Sequence, residues 1–344
     1  MKTFDRKFFL SMLIFVVPIV VICFLPYLLT SRSWFGLDFR TTGQIGDTIG
    51  GIMGPFIAIA AAILTFIAFW VQYKANEQQR QDIRLERFET KYYELLHLHK
   101  ENLKEIRIND QYIGREAFLG LYNELRFCFY TVKFHVDQFP AGTTAIDLGF
   151  QLNDNKAILE IAYLLFFVGL GDKSERLWFE QMDKHCERLF SKSLRDFAIT
   201  QQSIPRGTPH TYQFRNRDVY EYLSDFMPFV GHIAHLGHYY RHLYQSVKYV
   251  DNNQELDEDT KKNHLKTLRA QLSSYEQILL YYNTLSRFGR PWLDPAHPYL
   301  VKYRMIKNIP LPLADFGVRP EEQFHEEVER TRDSADKFFE WHEV

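Results

Sequence analysis

Cysteine is scarce in this sequence, and its charges nearly cancel. The 344 residues include three cysteines, Cys23, Cys128 and Cys186, and no two of them have the C-x-x-C spacing of a zinc site. We therefore expect reduced structural thiols, as in a cytosolic domain. The formal net charge of −2 argues against a protein that binds nucleic acid through an overall basic surface.

Several signatures of nucleotide-binding and hydrolytic enzymes are also missing. The sequence has no P-loop, no Rossmann glycine pattern, no G-x-S-x-G and no H-E-x-x-H. We accordingly expect no cofactor, and no residue is predicted as catalytic. Whether the protein is an enzyme stays open at this point, with a non-enzymatic role favoured.

Glycine and proline are absent from Phe56 to Ile108, so no helix-breaking residue interrupts this stretch. It begins as FIAIAAAILTFIAFWVQY, directly after Pro55, continues as the polar KANEQQRQDIRLERFE and becomes amphipathic in KYYELLHLHKENLKEI. This order predicts one helix that leaves a bilayer and enters a soluble domain. At 1.5 Å per residue it would be a rod about 80 Å long.

Two apolar segments predict a transmembrane hairpin. Residues 8–29 carry no charge and are long enough to cross a hydrocarbon layer of roughly 30 Å, and a second span is predicted at 49–73. A secretory signal peptide is the competing interpretation of the first segment, but the run is long and no A-x-A site follows it. Basic residues before the first span and after the second place both termini in the cytoplasm. The expected location is the bacterial inner membrane, as a multi-pass protein whose partner is the lipid bilayer.

Small residues recur every four positions in the second span. They share one helix face, which would let another helix approach closely; they are Gly46, Gly50, Gly54, Ala58 and Ala62. The face would pack against the first span of the same chain or against another copy in a homo-oligomer. Neither span has an ionisable residue at mid-depth, which argues against a transporter.

The remaining chain predicts an all-α architecture. We divide it into the hairpin at 1–73, a stalk helix at 74–114, a cytoplasmic helical domain at 115–312 and an acidic C-terminal helix or tail at 313–344. Helical periodicity predicts the following helices within the domain: Arg115–Asp137, Asn155–Leu170, Lys173–Phe190, Asp218–Val250 and Thr260–Arg287. Pro228 is expected to break or restart the helix predicted over Asp218–Val250. The stretch Ser203–Arg217 is predicted as a loop, and no alternating strands are expected.

Three groups of residues are weak candidates for chemistry. His232, His235, His238 and His242 would share one helix face, but one helix cannot easily supply four ligands to a metal. The Arg290/His297 pair has a spacing similar to that of a helical RNase motif, yet two prolines prevent a regular helix there. Basic residues of the 203–217 loop could hold a phosphate, although a solvated surface is the simpler explanation; they are Arg206, His210, Arg215 and Arg217.

Polar residues on three predicted helices suggest a joint site. The residues are Glu89, His99 and Asn102 on the long helix, His238 and Arg241 on the next, and Ser273, Glu276 and Asn283 on the last. One interpretation is structural, with an ion pair between Arg241 and Glu276 inside a satisfied network. The alternative is a pocket for a trigger ligand or a regulatory partner.

Four blocks of the sequence together form a specific pattern: GDTIGGIMGPFIAIAAAILTFIAFWVQYKANEQQR, RFETKYYELLHLHKEN, LGHYYRHLYQSVKYVD and LRAQLSSYEQILLYYNTLSRFG. The positions that carry the pattern are Gly50, Gly54, Gln72, Phe88, Glu89, His99, Asn102, His238, Tyr239, Arg241, Tyr244, Gln271, Leu272, Ser273, Glu276 and Asn283. In these blocks the chain resembles the AbiC-like family of phage abortive infection proteins.

This resemblance implies an antiphage effector that stops an infected cell from supporting phage growth. Related two-span effectors accompany retron-type defence systems, so a partner protein of such a system is a further expectation. We expect the effector to act by membrane perturbation after activation. The alternatives are a membrane-anchored RNase or nucleotide-degrading toxin, and a non-catalytic membrane scaffold or sensor. Direct nucleic-acid binding is not expected.

Overall fold

The computed structural model of the protein describes residues 45–108, 112–138, 155–170 and 185–340, and six single positions among the first 31 residues. The single positions, which include Val17 and Phe24, are helical and exposed. The rest of the predicted first span at 8–29 lies outside the described residues, as do Cys23, the part of the predicted helix Lys173–Phe190 before His185, and the last residues from Trp341. The chain divides into two units, residues 1–86 and residues 87–344.

Helix α1, Ile45–Glu105, begins in the first unit and ends in the second. Its part from Gly54 onward is long and apolar enough to cross a membrane, and it is the only such helix among the described residues. The predicted span at 49–73 lies within α1. Its large apolar side chains are exposed; they include Phe56, Ile59, Ile63, Phe66, Phe69, Trp70 and Val71. Thr65 donates its hydroxyl hydrogen to the Ala61 carbonyl, 2.8 Å away, so this polar group is satisfied within the helix.

The polar stretch that follows is held by pairs within the helix. Lys74 and Glu77 form an ion pair of 3.7 Å, and the Gln78 amide donates to Asp82 at 2.9 Å. Residues three and four apart are neighbours on a helix surface, so such pairs support a helix that has no apolar face.

The second unit is mostly helical, as predicted. After the end of α1 come α2 (Arg115–Asp137), α3 (Asn155–Val168), α4 (His185–Gln202), α5 (Ile233–Asp251), α6 (Glu258–Arg269), α7 (Ser274–Leu285), α8 (Tyr299–Lys302), α9 (Pro320–Gln323) and α10 (His325–Thr331). Short 3-10 turns lie at Arg290–Leu293 and Leu311–Leu313. The last part of α1 enters this core through one stripe formed by Phe88, Tyr92, Leu96, His99 and Leu103.

Helix α2 is the centre of the core. It packs along α3 and against α7, and its residues Leu125, Phe127, Cys128 and Val132 are fully buried. Cys128 is a free thiol, and burial raises its pKa well above the ordinary value. The predicted helix has the same bounds as α2, because its apolar residues recur at helical spacing along its whole length.

The prediction of a domain without strands is wrong in two places. Strands β1 (Arg107–Ile108) and β2 (Tyr112–Ile113) form a short antiparallel pair, and β3 (Pro209–Gln213) pairs with β4 (Val219–Leu223). The second hairpin replaces the predicted loop at 203–217 and the predicted start of a helix at 218. Its inward residues stack on α2, with the rings of Tyr222 and Phe127 4.3 Å apart.

The predicted helix Thr260–Arg287 is also divided into two. Helix α6 ends at Arg269, and α7 begins after Ser273, whose hydroxyl accepts from the Glu276 N–H at 3.3 Å. The Glu276 carboxylate accepts from the Ser273 N–H at 2.7 Å, which completes a capping box. The two side chains thus satisfy N–H groups at the start of α7, which favours a new helix start after Ser273 over one continuous helix.

The start of α5 is fixed by contacts with the end of α3. Gly169 and Gly231 both have positive φ, and a Cβ on Gly231 would stand 2.3 Å from the Val168 carbonyl oxygen. The buried Glu124 of α2 accepts the Phe229 N–H at 2.8 Å and lies 2.7 Å from His232 Nε2. These contacts explain why the helix begins at Ile233 and not at the predicted residue 218.

Candidate functional site

A groove of about 390 Å³ opens in the second unit along one face of α5. The α5 residues that line it recur at helical spacing, and Asn283 of α7 and the turn after it form the opposite wall. The lining residues are Phe167, Ile233, Ala234, Gly237, His238, Tyr240, Arg241, Tyr244, Asn283, Phe288, Pro291 and Trp292. The groove therefore combines aromatic walls with a few polar groups, as ligand-binding clefts commonly do.

Two of the side chains that line the groove, His238 and Arg241, are basic, and none is acidic. His238 and Arg241 are exposed, one turn apart on α5, and the described part of the chain contains no carboxylate in an ion pair with Arg241. The interpretation of an Arg241–Glu276 ion pair is thus not supported, since Glu276 pairs elsewhere. An unpaired guanidinium beside aromatic walls favours a ligand that is both planar and anionic.

Asn283 joins the groove to the core. Its side-chain amide donates to the Tyr163 hydroxyl at 2.8 Å, and its backbone carbonyl accepts from Ser286. A Cβ on Gly289 would stand 2.2 Å from that carbonyl oxygen, so only glycine allows the chain to return so closely. Asn283 is therefore held rigidly, which suits a residue that orients a ligand.

Glu276 belongs to a second group of contacts, behind the groove. Besides its role in the capping box, it accepts the Tyr239 hydroxyl hydrogen at 2.7 Å. The Arg115 guanidinium lies 3.9 Å from the same carboxylate and donates to the Gln271 carbonyl. Burial and the Glu276 charge raise the Tyr239 pKa well above its usual value, so Tyr239 stays a hydrogen-bond donor.

His99 and His242 form a third group. Their rings stack with centroids 6.3 Å apart, and the His99 ring lies 5.3 Å from that of Tyr239. Among the described residues, no hydrogen-bond partner is found for the ring nitrogens of either histidine. Burial, followed by the charges of His242, Arg115 and Lys100, lowers the His99 pKa to about 4. Burial, followed by the charge of His238, also lowers the His242 pKa. Both rings are therefore neutral at physiological pH.

The structure thus distributes the predicted joint site over these three groups. Tyr239 links two of them, because it contacts both Glu276 and His99. Glu89 is exposed and Asn102 is half-buried, and neither lines the groove.

The weaker candidates occupy separate environments. His232 is buried against Glu124, whereas His235 and His238 are exposed. Within the described ranges, no three His, Cys, Asp or Glu side chains lie close enough to hold a metal ion. Arg290 pairs with Glu160 at 3.5 Å, and His210 is buried against the Phe127 ring at 4.8 Å. These contacts give His232, Arg290 and His210 structural roles.

The part of the chain that forms most of the groove matches a known protein family. Residues 231–313 match the model of a family described as "putative phage abortive infection protein". This segment has the sequence pattern of the AbiC-like family. The match confirms the resemblance over α5, α6, α7 and the turns that follow, and it extends beyond the last quoted block. No curated protein and no solved structure matches the chain.

The matched segment contains every residue that lines the groove except Phe167. Sequence reasoning selected three of the lining residues and missed the aromatic ones that follow α7. Phe288 and Trp292 lie in a stretch rich in proline, where helical periodicity gives no signal. Glu124, which fixes the start of α5, was missed because a single carboxylate within an amphipathic helix is indistinguishable from a surface residue.

Proposed function

We propose that the protein is an antiphage effector of the abortive-infection type, anchored in the bacterial inner membrane. After activation it arrests the infected cell by perturbing that membrane. The observation that carries the proposal is the exposed apolar part of α1, within a chain that carries the family pattern. An apolar helix surface of this length has a favourable environment only in lipid.

The end of the apolar stretch has the composition of a membrane boundary. Trp70 and Tyr73 lie with ring centroids 6.4 Å apart, and the Lys74 ammonium is 5.7 Å from the Trp70 ring. Aromatic residues are enriched at the headgroup level, and lysine or arginine on the cytoplasmic side. Arg80, Arg84 and Arg87 follow. This order supports a cytoplasmic location for the second unit and for both termini.

The small-residue face of α1 supports helix association in the membrane. A Cβ added at Gly50 or Gly54 would meet no atom within 4 Å, so the face is open among the described residues. The first span of the same chain or a second copy would cover it. Assembly of hairpins into a homo-oligomer, with or without a defence-system partner protein, would be the event that perturbs the membrane.

The groove is the proposed control site of the effector. Arg241, His238 and the aromatic walls would receive a trigger ligand or a regulatory partner. We expect Arg241→Glu to abolish protection against phage, because it reverses the charge that would receive an anionic group. Lys248→Glu is the matched control, since Lys248 is exposed on the same helix and does not line the groove. Equal protection by both variants would remove the groove from the proposal.

A membrane-anchored RNase or nucleotide-degrading toxin is the second candidate. It is favoured by the presence of His238 and Arg241 at one cavity, since both side-chain types serve phosphoryl chemistry. Deleting residues 1–73 distinguishes the two candidates. A membrane-acting effector loses its toxicity with the spans, whereas an enzyme stays toxic as a soluble domain. A passive scaffold or sensor would be toxic in neither form.

The membrane potential of cells tests the preferred mechanism directly. In cells that express an activated effector, we expect the potential to collapse before growth stops. Growth arrest with a preserved potential would falsify membrane perturbation.

A further inference from the structure

A second cavity, of about 360 Å³, lies between α6 and the segment that contains α8. We call it the basic cleft, because six of its lining residues are cationic: Lys262, Lys266, Arg269, Lys302, Arg304 and Lys307. Asp336 is the one carboxylate among the lining residues. A concave surface with one sign of charge focuses a positive potential, although the chain as a whole is nearly neutral.

Neighbouring carboxylates offset only part of this charge. Lys302 pairs with Asp251 at 2.7 Å and with Glu258 at 3.2 Å. Lys262 is 3.5 Å from the exposed Asp259.

The other two cations of α6 that line the cleft, Lys266 and Arg269, are not in an ion pair with a carboxylate in the described part of the chain. Arg269 donates to the carbonyls of Tyr303 and Arg304, at 3.5 and 3.1 Å. Lys266 is exposed and has no ion-pair partner there. The cleft therefore keeps positive charge that a ligand can use.

The C-terminal segment places a carboxylate at the mouth of the cleft. One Asp336 oxygen lies 2.6 Å from Arg304 Nη1, and the other contacts Lys307 Nζ. Arg304 also donates to the carbonyl oxygens of Asp336 and Lys337. The segment is anchored just beyond this point by the buried Phe338 and Phe339. The Asp336 side chain is nevertheless 69% exposed, so an incoming anion can reach the same two cations.

We propose that the basic cleft binds a soluble ligand with two or more phosphate groups, and that Asp336 occupies the position of one of them. The carboxylate bridges an arginine and a lysine, which is the arrangement that receives a phosphate oxygen pair. One carboxylate carries one charge, whereas a chain of phosphates carries several and would also reach Lys266 and Lys262. Asp336 thus acts as an internal competitor that lowers the affinity of the cleft. This inference concerns a site separate from the groove and does not depend on the proposed function.

The test uses the full chain in detergent and inorganic tripolyphosphate as the probe, with binding followed by calorimetry. We expect Asp336→Asn to tighten binding roughly fivefold, since it removes a competing charge of the size of one surface ion pair. Asp333→Asn is the matched control: Asp333 is an exposed carboxylate of the same segment that does not line the cleft. It should leave the affinity unchanged.

Loss of a cation should have the opposite effect. Lys266→Gln should weaken binding about two- to fivefold, whereas Lys248→Gln on α5 should not change it. Added salt should weaken binding to wild type, because the attraction is between charges near the surface. Absence of binding to both wild type and Asp336→Asn at low ionic strength would overturn the proposal, as would equal affinities of the two aspartate variants.

Vesicles distinguish a soluble ligand from a lipid headgroup. The second unit, residues 87–344, carries the cleft, but the full chain is used so that its fold is kept intact. One outcome is that vesicles with phosphorylated inositol lipids bind in a way that depends on Asp336, whereas tripolyphosphate does not bind. The proposal of a soluble ligand would then be wrong. Binding of tripolyphosphate with the dependence on Asp336 and Lys266 described above supports it.

Discussion

At the scale of single residues, the buried histidine His99 is the most informative position. His99 is only 1% exposed, its ring stacks on that of His242, and burial lowers its pKa to about 4. The unfolded chain binds a proton near the ordinary histidine value of about 6.5, whereas the folded chain does not until the pH approaches 4. The resulting stability is complete above the unfolded pKa and is lost as the pH falls toward the folded one.

Replacing His99 by phenylalanine should therefore flatten the pH dependence of stability. The free energy of unfolding of wild type should fall as the pH is lowered from about 7 to about 5. Between the unfolded and the folded pKa of His99, this residue can account for a loss of at most ~3 kcal/mol. On unfolding in this pH range, His99→Phe should take up about one proton fewer than wild type. Denaturant titrations of the full chain in detergent at the two pH values measure this. His135, whose pKa burial also lowers to about 4, titrates in the same window and leaves a residual slope.

An unchanged slope in His99→Phe would show that His99 is protonated or solvated in the folded protein. The matched control is Phe118→Leu, because Phe118 is buried with its ring 5.2 Å from that of Tyr239, and neither side chain of this substitution titrates. A lower stability of His99→Phe at neutral pH would reflect the larger ring in a packed core and would leave the comparison of slopes unaffected.

Gly231 gives a second prediction at this scale. Gly231→Ala should lower the free energy of unfolding by more than about 3 kcal/mol, because a positive φ and a backbone clash act together. Gly207 separates the two effects. It also has a positive φ, but its added Cβ would meet no atom within 4 Å. Gly207→Ala should therefore cost only about 1–2 kcal/mol. Equal losses in denaturant titrations would mean that the chain near Gly231 can move to accept the methyl group.

At the scale of elements, α1 is the feature that would couple the membrane to the domain. The stretch around Gln78 is held by pairs within the helix and has little apolar surface. Two glycines there would cost about 1 kcal/mol each in helix propensity. We expect Gln78→Gly with Gln79→Gly to abolish protection against phage, while the protein remains in the membrane fraction.

Alanine at the same two positions is the matched control. It removes the Gln78–Asp82 hydrogen bond but keeps the helix, so protection should persist. If the glycine variant protects as well as the alanine variant, helix rigidity between the two units has no role in signalling.

The β3–β4 hairpin shows why element prediction failed in one region. In the sequence, His210 and Tyr212 alternate with neighbours that face outward, as in a strand. A pattern only five residues long is equally compatible with a loop. The strands form because Tyr212 and Tyr222 can stack on Phe127 of α2. The division between α6 and α7, by contrast, was readable from Ser273 and Glu276, whose three-residue spacing is that of a capping box.

At the scale of the whole molecule, the proposed oligomer is open to direct test. In membranes, Gly50→Cys and Ala58→Cys should form crosslinked dimers on mild oxidation, in a background in which Cys23 is replaced by alanine. Phe56→Cys, about half a turn away from the small-residue face, should crosslink much less. Monomers at all three positions would leave packing against the first span of the same chain as the explanation of that face.

The amino-acid sequence alone predicts the long apolar helix and the mostly helical domain, and it carries the resemblance to the abortive infection family. These depend on local periodicity and on residue identity, which survive in a linear chain. It also indicated that His238, Arg241 and Asn283 belong together, and all three line the groove. Which polar residues contact one another depends on the tertiary fold. In the folded chain, Glu276 contacts Tyr239 and Arg115, and His99 is buried. Asp336 pairs with Arg304 and Lys307. Such contacts join residues far apart in sequence, and their geometry is set by packing, which no local pattern encodes.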